Sequence, residues 1–143
     1  MNQYNPLKIE NQLCFSLYAV SREVIKLYKP ILDNYGLTYT QYITMMVVWE
    51  KERLSIKEIG QALHLDSGTL TPLLKKLEGM NYIRRYRDPN DDRVVVVELT
   101  EAGANLKDQM CDVPKHVFCQ LNGNPEELVS LKHLLDKLLV ELG

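Results

Sequence analysis

The stretch from Ser55 to Leu99 constrains the fold more than any other part of the chain. Ser55-Ile56-Lys57-Glu58 reads as a capping box, in which the serine hydroxyl and the glutamate carboxylate satisfy each other's backbone N–H groups at the start of a helix. This predicts a short helix to about Leu63. After His64 and Leu65, Asp66 can cap a second helix running to Leu77, with Gly79 near its end. Ile83 to Arg87 then reads as a strand, Asp88-Pro89-Asn90-Asp91-Asp92 as a turn, and Arg93 to Leu99 as a β-branched return strand. A short helix, a tight turn, a second helix and a basic hairpin make a winged helix-turn-helix pattern.

Within the second helix Leu70, Leu73, Leu74 and Leu77 recur at i, i+3, i+4, i+7, so one stripe faces a core. The opposite face carries Gly68, Thr71, Pro72, Lys75 and Lys76, with Ser67 and Thr69 at the leading end. Small hydroxyls and open N–H groups at a helix N-terminus suit phosphates and base edges. The lysines add sequence-independent attraction to DNA. Arg84, Arg85 and Arg87 on the first wing strand, and Arg93 after the turn, suit the electronegative minor groove of A·T-rich DNA. A plain αα-hairpin with a solvated lysine face, and an Asp91 or Asp92 pair that only stiffens the turn, are the alternatives.

Net charge at first argues against nucleic acid, since the formal total is -2. Its distribution argues back. From Ser67 to Arg87 five cations face Glu78 alone, whereas from Val94 onward four lysines face eight acids. A basic stripe on an acidic scaffold is the result. Hydrophobic residues at 45% and charged residues at 25% describe ordinary globular composition. The length of 143 residues suits one domain with a true core. No apolar run approaches a membrane span, and the start lacks signal-peptide regions. Three cysteines without metal-type spacing give neither a disulfide framework nor a metal site, so a cytoplasmic location is expected.

Flanking the central pattern, Leu7 to about Tyr28 reads as a helix that Pro30, Asn34 and Gly36 bend or end. Thr38-Tyr39-Thr40-Gln41 is another capping box and opens an apolar helix through Trp49. Thr100 caps a helix carrying Pro114, and Asn124-Pro125-Glu126-Glu127 opens the last helix. Leu128, Leu131, Leu135, Leu138 and Leu142 form an apolar stripe on it that a second copy of the chain can cover. The expected architecture is mainly α with a small β-hairpin. It is a single domain over 1–143, with a winged helix-turn-helix core at 38–100 and dimerisation helices at 7–37 and 101–143.

The run Leu65-Asp66-Ser67-Gly68-Thr69-Leu70-Thr71-Pro72-Leu73-Leu74-Lys75-Lys76-Leu77-Glu78, with Asp91-Asp92-Arg93 and Leu99-Thr100-Glu101-Ala102-Gly103, resembles the MarR family. Asn11-Gln12-Leu13-Cys14-Phe15, Tyr28-Lys29-Pro30 and Leu37-Thr38-Tyr39-Thr40-Gln41-Tyr42 resemble its organic hydroperoxide-sensing branch, OhrR. The family has proline where Thr40 stands, which leaves the capping logic intact. The resemblance implies a homodimeric repressor on double-stranded, palindromic operator DNA, with no cofactor, released when an organic hydroperoxide oxidises Cys14. It nominates Tyr28 and Tyr39 as phenols donating to the Cys14 thiolate, and Cys119 as a resolving cysteine on the partner subunit. In the one-cysteine form of the branch a low-molecular-weight thiol takes that role.

Cys14 is expected within the first helix but past its first turn, so that the helix dipole adds little. It lies fourteen residues before Tyr28, about 21 Å along a continuous helix, so the two meet only across a two-fold dimer. Tyr18, one turn on, either lines the same pocket or is core. Cys111 reads as structural. Two other functions stay open: a MarR-type regulator of stress or virulence answering a small phenolic ligand or another oxidant, and a thiol peroxidase turning over at Cys14. Against the peroxidase, there is no Cys-x-x-Cys, and neither His64, His116 nor His133 is placed to pair with Cys14, so no enzyme is expected.

Overall fold

The computed structural model describes residues 2–143. Contacts divide the chain into two compact units, Met1–Val113 and Pro114–Gly143. In the first, two 3₁₀ turns (Asn5–Leu7 and Ile9–Asn11) lead into α1 (Leu13–Leu32), and a third (Asp33–Tyr35) leads out of it. Then come α2 (Tyr39–Lys51), β1 (Arg53–Ser55), α3 (Ile56–Leu63), α4 (Ser67–Gly79), β2 (Ile83–Asp88), β3 (Asp91–Leu99) and α5 (Glu101–Met110). α6 (Val113–Gln120) begins at the division and α7 (Pro125–Leu142) closes the chain.

Helix starts are where the caps lie. Thr38 and Ser55 both form complete capping boxes, with Gln41 and Glu58 answering from the third helical position. Asp66 accepts from the Thr69 N–H at 2.7 Å, and Thr100 accepts from the Gly103 N–H at 3.0 Å. Three boundaries differ from expectation. α1 starts at Leu13, not Leu7: Pro6 sits in a 3₁₀ turn, Lys8 is extended, and the Gln12 side chain donates back to the carbonyls of Pro6 and Lys8. The helix also runs through Pro30, losing one backbone donor, to Leu32. Pro114 does not interrupt a helix; α5 ends at Met110, and Pro114 is the second residue of α6.

The hairpin is larger than its sequence signal. β2 and β3 pair antiparallel from Ile83↔Leu99 to Asp88↔Asp91, with an irregularity at Arg87/Asp88. β1, which the sequence reading missed, adds a third strand through Arg53↔Glu98 to Ser55↔Val96, giving the order β1-β3-β2. Three residues are too few to show an alternation pattern.

The core of the first unit gathers Leu32, Tyr42, Met45, Val48, Ile59, Leu70, Leu74, Leu77, Ile83 and Val97, each at most 1% exposed. Trp49 joins α5 to this core by donating to the Gly103 carbonyl at 2.8 Å. Gly103 also lets the start of α5 sit against the Tyr82 backbone, because a Cβ there would lie 2.3 Å from the Tyr82 carbonyl oxygen. Two helices, by contrast, leave their apolar faces open. α1 buries only Leu32 and exposes Leu13, Phe15, Tyr18, Val20 and Ile25. α7 buries nothing and exposes Leu131, Leu134, Leu135, Leu139 and Leu142.

Candidate nucleic-acid interface and thiol site

α3 and α4 form the helix pair, joined through His64, which holds a left-handed conformation (φ 56°) at the end of α3. The leucine stripe of α4 (Leu70, Leu73, Leu74, Leu77) is buried. Ser67, Gly68, Thr69, Thr71, Pro72, Lys75 and Lys76 are all exposed, as the spacing predicts. The Thr71 hydroxyl donates back to the Ser67 carbonyl, which leaves its oxygen lone pairs facing outward.

The wing arginines differ from one another more than sequence suggests. Arg85 is 22% exposed and forms a three-pronged contact with Glu78 of α4, through its backbone N–H and two guanidinium nitrogens. Those bonds hold the Glu78 carboxyl below its ordinary range. Arg85 thus ties α4 to the sheet, and it is the least exposed of the wing arginines that form ion pairs. Arg84, on the other face of β2, pairs with Glu98 of β3 at 3.2 Å. Arg87 donates to the Asp92 carbonyl at 2.7 Å and stays exposed. Arg93 is 87% exposed and is clamped by both carboxylate oxygens of Asp91 at 3.0 and 3.2 Å. The pairing lowers the Asp91 pKa and raises that of Arg93. The acid holds the wing tip while the guanidinium faces solvent. Between α3, α4 and β3 lies an open groove of about 810 Å³, lined among others by Lys57, His64, Leu65, Leu70, Thr71 and Arg93.

Cys14 is exposed and is the second residue of α1, in its first turn rather than past it, because the helix starts at Leu13 and not at Leu7. The first helical hydrogen bond runs from the Ser16 N–H to the Gln12 carbonyl, and no side chain caps the helix. The N–H groups of Leu13, Cys14 and Phe15 are open, and the positive end of the helix dipole lies at the sulfur.

At the far end of α1, Tyr28 meets Tyr39 of α2 edge to face, with ring centroids 5.0 Å apart. Tyr42 stands 5.6 Å from Tyr28 and 6.2 Å from Tyr39, and Trp49 follows at 6.5 Å. Burial raises the pKa of Tyr28 and Tyr39, and pushes Tyr42 to about 12, so all three are protonated donors at neutral pH. Among the described residues the only tyrosine hydroxyls bonded to protein are those of Tyr18, to Arg22, and of Tyr35, to the Gln109 carbonyl. The phenols of Tyr28 and Tyr39 are uncommitted within their own chain. Tyr42, which the sequence reading quoted only within the family-like motif, and Trp49, which it placed in an apolar helix, are both buried; the i, i+3 spacing of Tyr39 and Tyr42 was the available signal for the aromatic cluster. Cys119 is exposed, and so is Cys111, whose thiol donates to the Asp108 carbonyl. Among the described residues no cluster of potential metal ligands occurs, and no helix is long and apolar enough to cross a membrane.

This helix pair, its basic exposed face and its wing define a winged helix-turn-helix transcriptional regulator. A family model for the transcriptional regulators SarA/Rot matches residues 26–110. The organic hydroperoxide resistance transcriptional regulator of Bacillus subtilis is 46% identical over 99% of this chain and 96% of its own length. Reduced AbfR bound to DNA has a TM-score of 0.79 at 30% identity, covering 99% of this chain and 100% of that one. AbfR in its disulfide form drops to 0.62, at 31% identity over 98% and 93%. A mutant E. coli MarR complexed with operator DNA scores 0.83 at 25% identity over 97% and 99%. The chain belongs to the MarR family of transcriptional regulators, and is not an enzyme.

Proposed function

We propose that the chain is a redox-switched repressor: a homodimer that holds a palindromic operator and releases it when an organic hydroperoxide oxidises Cys14. One observation carries this reading. A thiol at the open N-terminus of α1 and a pair of uncommitted phenols near its other end, Tyr28 and Tyr39, are complementary, yet fourteen residues of continuous helix separate Cys14 from Tyr28 by about 21 Å. A two-fold axis that runs two copies of α1 antiparallel brings each thiol to the partner subunit's phenols. The open faces of α1 and α7 supply the apolar surface for such a dimer.

In the dimer, Cys14 accepts hydrogen bonds from the phenol O–H groups and sits at the open N-terminus of its own helix. Its sulfur attacks the distal peroxide oxygen. An S–O bond forms, the O–O bond breaks, and the departing alkoxide takes a proton to leave as an alcohol. A second thiol then attacks the sulfenic sulfur, forms a disulfide and releases water. Cys119 of the partner subunit is assigned that role, with a low-molecular-weight thiol as the substitute. On the DNA side, Ser67, Gly68, Thr69, Thr71 and Pro72 lead α4 into the major groove, Lys75 and Lys76 meet phosphates, and Arg87 and Arg93 reach the minor groove. Arg84, paired with Glu98, meets the backbone at most.

The test is a mobility-shift assay on DNA upstream of the chain's own gene. Wild type should release the DNA when cumene hydroperoxide is added, and Cys14→Ser should bind equally well but stay bound. Release of Cys14→Ser by peroxide would sink the sensor. A second reading rests on the groove beside α4, whose volume suits a small molecule and whose rim carries Lys57, His64 and Arg93. There a phenolic carboxylate would displace DNA directly, and Cys14→Ser would answer it as wild type does.

A further inference from the structure

The chain before Cys14 is built in a way that the sensing chemistry does not require. Its two 3₁₀ turns are internally fastened: Asn11 Nδ2 donates to the Asn5 carbonyl at 2.9 Å, and Gln12 Nε2 to the Pro6 and Lys8 carbonyls at 2.6 and 2.8 Å. A segment so ordered still buries none of its apolar side chains. Tyr4 is 60% exposed, Leu7 78%, Ile9 61% and Leu13 69%. A stiff stretch with apolar side chains directed outward is an interface element lacking its counterpart.

A small apolar cavity lies beside Tyr39 in the same unit. It has a volume of about 250 Å³, a floor of Leu32 and Leu37, and walls that include Ile25 and Tyr39. That volume falls below the range of roughly 300–1,000 Å³ typical of small-molecule sites, but it accommodates aliphatic side chains. Lys26 and Lys29 stand at its edge, each already paired within its own chain, with Glu23 and with Asp33, which also lines the cavity.

We infer that the N-terminal segment of each subunit, led by Ile9 and Leu13, docks in this cavity of the partner subunit and thereby holds Cys14 against Tyr28 and Tyr39. The inference rests on the two-fold sensor proposed above, which brings the start of α1 to the partner's Tyr39. Leu13 adjoins Cys14 and Ile9 precedes it by five residues, so side chains tied this closely to the thiol must land beside Tyr39, where the cavity lies. The redox site is then incomplete without a segment that touches neither DNA nor oxidant.

Two measurements test it. With p-benzoylphenylalanine in place of Ile9, dimers exchanged between normal and nitrogen-15-labelled protein are irradiated and their peptides mapped. The expected product joins position 9 to residues 25–39 in mixed-isotope pairs; products confined to one chain, or on another region, overturn the docking. Second, sulfenic acid formation at Cys14 is timed with cumene hydroperoxide in dimers confirmed by sedimentation. Because burying an isoleucine favours the docked state by an order of magnitude or more, Ile9→Asp should slow it on the order of tenfold. Ile9 is exposed in its own chain, so the variant keeps its fold. Equal rates in wild type and Ile9→Asp overturn the docking alone. Oxidation of wild-type Cys14 no faster than that of exposed Cys111 overturns the sensor beneath it.

Discussion

At the scale of single residues, the proposed redox chemistry depends on side chains whose own chain leaves them unfinished. Cys14 has open N–H groups around it but no phenol, whereas Tyr28 and Tyr39 have phenols without acceptors. Tyr42 is different, being 1% exposed and packed between that pair and Trp49. Its hydroxyl proton is held to about pH 12 by burial, against 10.0 for an ordinary tyrosine. Between those two values the unfolded chain loses the Tyr42 proton while the folded chain keeps it. The unfolded state then binds fewer protons, so stability falls as pH rises through this window. Tyr42→Phe should leave stability at pH 7 within about 1.5 kcal/mol of wild type and flatten the loss between pH 10 and 12, read by urea melts across that range. An unchanged slope would mean that Tyr42 is not the group whose proton is held. Residues of this kind are poorly legible in a sequence. Cys14, Tyr28 and Tyr39 were found through resemblance to a family, whereas a tyrosine on an apolar helical stripe looks like any core residue. The bond between Arg85 and Glu78 was equally hidden, because seven residues and a change from helix to strand separate them.

Elements were legible where the signal was local. The capping boxes at Thr38 and Ser55, the Asp66 and Thr100 caps and the leucine stripe of α4 each depend on residues within one or two helical turns, and the structure has all of them. α1 was misplaced because Leu7 to Asn11 looks helical in composition; its backbone instead forms two 3₁₀ turns, fastened by the Gln12 side chain donating to carbonyls six and four residues upstream. That error also moved Cys14 away from the helix end. Two predictions belong to the recognition helix and the wing. Lys75→Ala should weaken binding to every DNA sequence alike and reduce the slope of log K against log salt by about one unit. The motive is its exposure on the face opposite the buried leucines, with no ion pair there among the described residues. A change in sequence preference at unaltered salt slope would remove it from the phosphates. Arg93→Ala should weaken binding more on A·T-rich flanks than on G·C-rich ones, because a narrow minor groove concentrates negative potential. Equal losses on both flanks would take the wing tip out of the groove.

For the whole molecule, the proposed switch requires that oxidation at one cysteine become loss of DNA. Two recognition helices must stand about one DNA turn, roughly 34 Å, apart to read a palindrome. If Cys119 of the partner subunit resolves the Cys14 sulfenic acid, the two Cα atoms must come within about 7 Å. Any dimer whose reduced thiols rest farther apart then has to shift its helices, and a rigid dimer transmits that shift to the recognition helices. Cys119→Ser separates the two routes. In wild type, peroxide should yield a covalent dimer on non-reducing gels together with loss of the mobility shift. The variant should give no covalent dimer, and without added thiol its Cys14 should proceed to the sulfinic acid, seen as a mass gain of two oxygens. Because Cys119 is exposed, the substitution leaves the fold intact, and the unoxidised variant should bind DNA as wild type does. Full, reversible release by the variant in the presence of a small thiol, with a mixed disulfide on Cys14, would assign the switch to Cys14 alone. A covalent dimer that persists in the variant would instead point to Cys111, whose exposed thiol is the remaining candidate.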